Sequence, residues 1–401
     1  MKTKYGLPEQ VLFCKRCVIS NQRPNSVVEY NHDSESIKKT IHFDEGICDA
    51  CRVAEAKAQT DWQARRRELE KLCDAHRKQR GYDCIVPGSG GKDSFFAAHV
   101  LKHEFGMHPL TVTWAPHIHT EWGRRNFDRW VEEQDNYLCT PSRQTHRLLT
   151  RLAVENLFHP FQPFVIGQKS LAPKMARIFG VPLVFYGENE AEYGNPKDDA
   201  ASATRSDAYF TCSDRRVASS DIRLSGMRLD DLHNEHGLSL SDLEPYLPLA
   251  DASGIEVHYL GYYLKWKPQE CYYYAVEHGG FEPSPERTPG TYSKYNSIDD
   301  KIDDFHYWTT YQKFGIGRAT YDASQEIRSG DITREEGIAL VRRFDGEWPA
   351  RFVDEINEYL SVPGFPRMTV ERWWSLAEKF RSPHLWHLGR LSKTIFDMDA
   401  K

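Results

Sequence analysis

One glycine-rich loop constrains the fold of this chain more than any other feature. The apolar run Cys84–Pro87 predicts a buried strand, and the hexapeptide Ser-Gly-Gly-Lys-Asp-Ser at residues 89–94 joins it to a stretch with helical periodicity. Adjacent glycines let backbone N–H groups approach an anion, and the start of the following helix favours negative charge. The loop therefore predicts a phosphate site in an α/β fold.

The segment around this loop alternates apolar runs with helical patterns. Strands are predicted at 84–87, 109–114, 137–140, 163–167 and 182–186, and helices at 92–105, 121–135, 143–158 and 168–179. Five strands separated by helices predict a parallel sheet, in which ligands bind beyond the carboxyl ends of the strands. The candidate residues at these ends are Thr113, Trp114, Gly167, Gln168, Lys169, Glu188, Asn189 and Glu192.

Composition shifts divide the chain into four regions. We predict a cysteine-containing module at 1–60, a linking helix at 61–81, the α/β domain at 82–263 with an insertion at 194–254, and a mainly helical region at 264–401. A β-like run at 257–263 ends the α/β domain.

Two Cys-x-x-Cys pairs punctuate the first region. Cys14 and Cys17 form one pair and Cys48 and Cys51 the other, and the intervening residues are able to form a hairpin. Four thiolates suit a closed tetrahedral zinc site, which would stabilise a module too small to be held by its own core. A redox role is the alternative, but it needs only one pair. We predict structural zinc.

Composition and charge exclude several classes of protein. The 401 residues carry a formal net charge of −6, so the chain has no basic field for a long nucleic acid, and a nucleic-acid partner is disfavoured. No apolar run approaches the ~20 residues of a membrane helix, and the first residues lead into no apolar segment, so we expect no signal peptide. Nine cysteines, mostly scattered, do not form a disulfide framework, so we expect a reducing, cytoplasmic location without membrane contact.

The hexapeptide resembles the PP-loop of the ATP pyrophosphatases, whose sheet is of the adenine nucleotide alpha-hydrolase (HUP-like) type. That resemblance, over about residues 82–190, implies that ATP is cleaved between its α and β phosphates and that AMP is placed on a carbonyl oxygen of the substrate. It implies that backbone groups and hydroxyls cradle the pyrophosphate, that Lys92 balances charge and that Asp93 helps to hold Mg²⁺. The cradle residues would be Ser89, Gly90, Gly91 and Ser94, and the adenine would lie beside Thr113 and Trp114.

Further segments together resemble the N-acetyl sugar amidotransferase family of bacterial surface-polysaccharide and flagellar-glycan pathways. They are residues 13–18, 42–51, 159–164, 186–196, 314–319 and 332–337. The resemblance implies conversion of an acetamido group on an activated or acidic sugar to an acetamidino group. It also implies ammonia from a separate class-I glutaminase, with a cyclase-like companion, because the chain itself has no glutaminase signature.

Candidate roles for individual residues follow from this interpretation. Glu188 and Glu192 are candidates for binding Mg²⁺ or for orienting ammonia. We assign both, together with Lys92 and Asp93, to catalysis. We assign Asn189 to binding of the substrate. In the C-terminal region Lys294, Lys313 and Arg318 lie among aromatic residues, which suits a nucleotide-linked or carboxylated sugar. A tRNA-thiolating enzyme and a non-enzymatic zinc and nucleotide scaffold remain the alternatives.

Overall fold

The computed structural model describes residues 3–25, 32, 39–188, 192, 194, 202–211 and 222–387. The first elements are the short antiparallel strands β1 (Phe43–Asp44) and β2 (Ile47–Cys48), followed by helices α1 (Asp49–Ala58) and α2 (Trp62–His76). Asp61 caps α2, since its carboxylate accepts hydrogen bonds from the N–H groups of Gln63 and Ala64. The cap fixes where the linking helix begins.

A five-stranded parallel sheet forms the centre of the protein. The remaining strands are β3 (Cys84–Pro87), β4 (Pro109–Trp114), β5 (Asn136–Cys139), β6 (Leu183–Tyr186), β7 (Arg223–Leu224), β8 (Met227–Arg228) and β9 (Glu256–Tyr259). The sheet order is β5-β4-β3-β6-β9, and β7 pairs with β8 in a separate hairpin. Because the chain moves outward from β3 first to one side and then to the other, the switch point lies at the end of β3.

Helices cover both faces of the sheet and form the C-terminal region. They are α3 (Lys92–His103), α4 (Glu121–Glu133), α5 (Arg143–Leu157), α6 (Gln162–Phe179), α7 (Leu229–His236), α8 (Leu240–Leu243), α9 (Leu260–Tyr263), α10 (Pro268–Gly279), α11 (Asp303–Phe314), α12 (Arg318–Ser329), α13 (Arg334–Phe344), α14 (Val353–Leu360), α15 (Val370–Phe380) and α16 (Pro383–His387). None of the helices in the described part of the chain is long and apolar enough to cross a membrane.

The alternation of side-chain direction along β3 explains why helices cover both faces of the sheet. Ile85 packs with Leu110 and Leu149 on one side, whereas Val86 packs with Leu101 on the other, and all five side chains are buried. Successive side chains of a strand point to opposite faces, so a strand buried on both sides must be apolar throughout. The predicted five-stranded parallel α/β fold is confirmed.

One predicted strand is wrong. Residues 163–167 form the first turns of α6, and the fifth strand of the sheet is instead β9, at the β-like run predicted to end the domain. Pro163 occupies the start of the helix, where a missing N–H costs nothing. The run is apolar because this end of α6 is buried on several sides, and a short apolar run cannot distinguish such a helix from a strand.

The C-terminal helices pack onto α5 through aromatic side chains. Phe158, just after α5, contacts Trp308 of α11 and Trp373 of α15, with ring centroids 5.8 and 6.1 Å apart. Trp373 is fully buried and Phe380 nearly so, as expected for packing residues. This contact brings α11 and α12 to the carboxyl edge of the sheet.

Candidate active site

The glycine-rich loop is held tightly against α4. Gly90 has a φ of +83°, and a Cβ atom on it would lie 2.9 Å from the carbonyl oxygen of Asn126 and from the Cα of Phe127. Only glycine fits this backbone and this approach. Gly91 then caps the N-terminus of α3, so the loop meets a helix start, as predicted from the sequence.

A cavity of about 570 Å³ opens over this loop, and we call it the main cavity. Its volume lies within the range of about 300–1,000 Å³ that is usual for small-molecule sites. Of the residues predicted for the site it brings together Ser89, Gly90, Gly91, Lys92, Asp93, Gln168, Lys169, Glu188, Lys313 and Arg318. Parts of the chain more than 200 residues apart therefore share one site.

Lys92 and Asp93 form an ion pair at the base of the main cavity. Their Nζ and Oδ2 atoms are 2.5 Å apart, and the Lys92 side chain is 7% exposed. Trp266 donates its indole N–H to the other carboxylate oxygen of Asp93 at 3.0 Å. The indole fixes the carboxylate, leaving lone pairs that suit a hard cation.

Glu188 lies beside this pair, after β6. Burial is the main cause that raises the pKa of Glu188 to about 7, and the charge of the Asp93 carboxylate is the second. Two carboxylates facing one cavity next to the glycine-rich loop form a donor set that fits Mg²⁺, because a divalent cation would relieve their repulsion. Without a cation, Glu188 is about half protonated near neutral pH.

A cationic wall closes the far side of the main cavity. It consists of Arg23 from the cysteine module, Lys313 and Arg318. The Nε of Arg318 lies 3.0 Å from Oδ1 of Asp322, and its Nη1 donates to the hydroxyl of Tyr307. The Nζ of Lys313 donates to the carbonyl of Leu157 at 3.0 Å. These partners hold the side chains in place, where they favour an anionic ligand.

Acidic residues of the C-terminal region complete the site, and the sequence reasoning missed them. Asp299 lines the main cavity and bonds with Ser89, and Asp303 lies in the wall of the smaller cavity described next. Burial raises the pKa of Asp303 to about 8, which the charge of Arg318 partly opposes. Asp300 holds this segment against the loop that follows β4, because it bonds with His117 Nδ1 at 2.7 Å. The run of acidic residues at 299–304 was the available signal.

A second cavity of about 280 Å³, the smaller cavity, adjoins the main one. Trp114, Phe161, Phe164 and Leu171 supply apolar surface, and Ser89 and Gln168 line both cavities. The aromatic and apolar side chains form one side of a cavity that Asp299, Asp300 and Asp303 also line, and a surface of this kind next to the glycine-rich loop suits a flat aromatic base.

Several predicted site residues lie elsewhere. Thr113 accepts a hydrogen bond from Asn136 at 2.9 Å in the neighbouring strand, and Ser94 donates to Gly91 O at 3.0 Å within the helix start. The residues 167–169 do not end a strand. Gly167 lies inside α6, where a Cβ would be 2.2 Å from the ring of Trp114, so glycine is required there for packing.

One acidic and one basic candidate also fall outside the main cavity. The Oε1 of Glu192 pairs with Lys57 Nζ of α1 at 2.5 Å, which ties the edge of the sheet to the cysteine module. Lys294 is exposed and donates to Pro285 O at 2.9 Å. Asn189 lies outside the described residues.

The two cysteine pairs come together as predicted. All four thiols are buried, and their Sγ atoms lie within 4.8 Å of one another, with 3.8 Å between Cys14 and Cys51 and 3.7 Å between Cys17 and Cys48. Cys14 Sγ also accepts the N–H of Cys48 at 3.4 Å. The set fits structural zinc, since four sulfur ligands leave no open position. Arg334 donates to the carbonyls of Cys14 and Cys17, joining the module to α13.

Arg23 is the residue that sequence reasoning had least means to find. It is nearly buried, and its guanidinium lies 5.5 Å from the ring centre of Tyr321 on α12. Nothing in the local sequence shows that a residue near the cysteine pairs reaches the main cavity, because the approach depends on packing between distant parts of the chain.

Two comparisons place the chain among known proteins. An uncharacterised protein of Methanocaldococcus jannaschii is 35% identical over 83 residues, which are 20% of this chain and 29% of that protein. The chain thus spans less than a third of that relative's length in the match. Residues 289–397 match the family model described as LPS biosynthesis protein WbpG-like, C-terminal domain. This match includes Lys294, Lys313 and Arg318, and it supports the family resemblance found in the sequence. Over residues 289–397 the chain is therefore similar to the C-terminal domain of the WbpG-like LPS biosynthesis proteins.

Proposed function

We propose that this protein is an ATP-dependent amidotransferase that converts an acetamido group of a sugar to an acetamidino group and releases AMP and pyrophosphate. The observation that carries the proposal is the main cavity, which joins a glycine-rich loop after β3 to cations of a WbpG-like domain. The loop suits the phosphates of ATP, and the cations suit an acidic or nucleotide-linked sugar. The product would serve lipopolysaccharide, O-antigen or flagellar-glycan synthesis.

The cavities suggest how the two substrates lie. The adenine would occupy the smaller cavity beside Trp114 and Phe164, and the phosphates would extend over Gly90 and Gly91. The sugar would then lie toward Lys313 and Arg318, with its acetamido oxygen near the α-phosphorus. Positioning of this kind lowers the barrier by removing motional freedom before the reaction.

The chemistry requires two displacements. The acetamido oxygen attacks the α-phosphorus and pyrophosphate leaves; ammonia then adds to the imidate carbon, loses a proton, and AMP leaves. Lys92 stabilises charge on the departing pyrophosphate, and Mg²⁺ held by Asp93 would add to that stabilisation. Glu188, which lines the same cavity beside Asp93, is suited to accept the proton from ammonia.

The cysteines favour ammonia over sulfur as the second nucleophile. No cysteine lines either cavity among the described residues. Cys271 is the thiol whose pKa the charges of Asp93 and Lys92 influence, but burial raises that pKa well above its ordinary value, so it is a poor nucleophile. We propose that ammonia comes from a separate class-I glutaminase, with a cyclase-like companion.

The test is incubation of the purified protein with ATP, Mg²⁺ and ammonium chloride and a panel of nucleotide-activated sugars that carry acetamido groups. We expect AMP and a sugar product in which NH has replaced O, detected by mass spectrometry, only when all reactants are present. Asp93→Asn should abolish AMP formation with its zinc content unchanged, whereas Asp74→Asn, an exposed aspartate of α2, should remain active. No AMP and no altered sugar across the panel would refute the proposal; binding of tRNA with a steep salt dependence would favour thiolation instead.

A further inference from the structure

Two more cavities lie behind the main cavity, in the seam between α1 of the cysteine module and α12. The inner one, which we call the constriction, has a volume of about 10 Å³ and is lined by Ile19, Ile41 and Ala50 on one side and Tyr321, Ser324 and Gln325 on the other. The outer cavity has a volume of about 180 Å³, and Ala54, Trp266 and Ser329 lie in its wall. The seam is therefore not filled by side chains.

Shared residues show that the three cavities lie in a row. Gln325 lines the main cavity, the constriction and the outer cavity. Tyr321 separates the main cavity from the constriction, and Ala50 and Arg328 separate the constriction from the outer cavity. The row leads from the surface of the cysteine module to the cavity that holds the phosphate loop.

The constriction has the size and the polarity for one small polar molecule. Its volume is about that of a single water, which needs roughly 10–15 Å³. The hydroxyl of Ser324 and the amide nitrogen of Gln325 are buried there and have no hydrogen-bond partner in the part of the chain that the structure describes. Buried groups of this kind usually bind a solvent molecule. Ammonia has a similar size and also donates and accepts hydrogen bonds.

Charge at the constriction selects against a cation. Arg328 lines it, and this arginine also donates from Nη2 to the carbonyl of Glu192 at 2.7 Å, which holds it in place. A guanidinium at a narrow passage disfavours ammonium relative to neutral ammonia, although Glu192 and the thiols of Cys17, Cys48 and Cys51 offset part of its charge. Lys57 lies at the outer cavity and is paired with Glu192.

We propose that this row of cavities is a conduit by which ammonia reaches the main cavity, entering between α1 and α12. The proposal rests on the proposed function and deepens it by assigning the route of the nitrogen substrate. ATP and the sugar would enter the main cavity through its open mouth, so ammonia, which reacts last, needs another route. A route closed to bulk water also protects the adenylated intermediate from hydrolysis. The source of ammonia must then dock over the seam around Ala54 and Lys267.

A matched pair of variants on one helix tests the conduit. Ala54 lies in the wall of the outer cavity, whereas Ala56, two residues on, is exposed and lines none of these cavities. With saturating ATP and a sugar that supports AMP formation, Ala54→Trp should raise the KM for ammonia by about tenfold or more, with the KM for ATP unchanged. Ala56→Trp should behave like the wild type.

Folding controls keep the result decisive. Zinc content and the thermal midpoint are measured for each variant, and Ser329→Trp fills the same cavity from α12 if Ala54→Trp does not fold. An active wild type whose KM for ammonia is unchanged in both filled variants overturns the conduit while leaving the proposed function intact. A wild type inactive with every sugar overturns the proposed function, and the conduit with it. If neither variant folds, a high-resolution crystal structure of the wild type decides: a solvent molecule bonded to Ser324 supports the conduit, and a dry constriction overturns it.

Discussion

Replacement of Glu188 by glutamine tests the electrostatics of the main cavity. Folding raises the pKa of Glu188 from 4.5 to about 7, because burial and the nearby Asp93 disfavour its charged form. At about 1.4 kcal/mol for each pH unit, the charged carboxylate destabilises the folded protein by about 3 kcal/mol when the pH is above both values. Glutamine is neutral at every pH and avoids this cost.

The direction of the pH dependence follows from proton binding. Between pH 4.5 and about 7 the folded state binds more protons at Glu188 than the unfolded state, so this residue makes the protein less stable as the pH rises. Glu188→Gln should therefore match the wild type near pH 4.5 and exceed it by about 3 kcal/mol at pH 8. Other carboxyl groups with a raised pKa, such as Asp303, titrate in both proteins, so their contributions cancel in the difference.

The assay is urea denaturation of both proteins at several pH values in the absence of Mg²⁺, which would lower the pKa of Glu188. The exposed glutamate variant Glu235→Gln is the control and should show no comparable gain at high pH. Asp93→Asn should shrink the effect, since it removes the neighbouring charge. A stability difference between wild type and Glu188→Gln that is the same at pH 5 and pH 8 would refute the reasoning.

Three further outcomes are expected. Cys48→Ser should lose zinc, measured by mass spectrometry of the metal, and lower the thermal midpoint; a stable, zinc-free, active variant would contradict the structural role. Gly90→Ala should abolish AMP formation, because its Cβ meets the backbone of α4, whereas Gly81→Ala, with a similar φ of +84° and nothing within 4 Å, should cost only about 1 kcal/mol of strain and remain active. Trp266→Phe removes the hydrogen bond to Asp93 and should lower kcat about tenfold, because the loss of a hydrogen bond to a charged group costs about 1.5 kcal/mol. An unchanged kcat would show that the indole does not position the carboxylate.

The sequence was sufficient where local signals determine structure. The bounds of β3 and β4 match their prediction residue for residue, because turn residues flank short apolar runs in a parallel sheet. The four cysteines also came together as expected, since metal-type spacing leaves few alternatives. The error at residues 163–167 arose because a buried helix start and a buried strand have the same composition.

The candidate site was only partly predictable, because much of it depends on long-range packing. The loop residues were identified from their own pattern, but Arg23 and Asp299 reach the cavity through contacts between the two ends of the chain. Glu192 illustrates the opposite case: its position after β6 suggested the site, yet an ion pair with Lys57 holds it against the cysteine module. Position along a strand predicts an edge of the sheet, whereas the direction of each side chain depends on its partners.

The shared wall of the main cavity has a consequence for biosynthesis of the protein itself. Arg23 near the start of the chain and Gln325 far along it line the same space. Because a chain emerges from the ribosome in order, the α/β sheet is able to form before α11 and α12, which supply the rest of the wall, have been made. A chain that ended before α11 would keep its glycine-rich loop and Arg23 but lack Lys313 and Arg318. If the proposed function holds, such a fragment would lack two of the three cations proposed to receive the sugar, so premature termination would not produce an enzyme that consumes ATP in adenylating it.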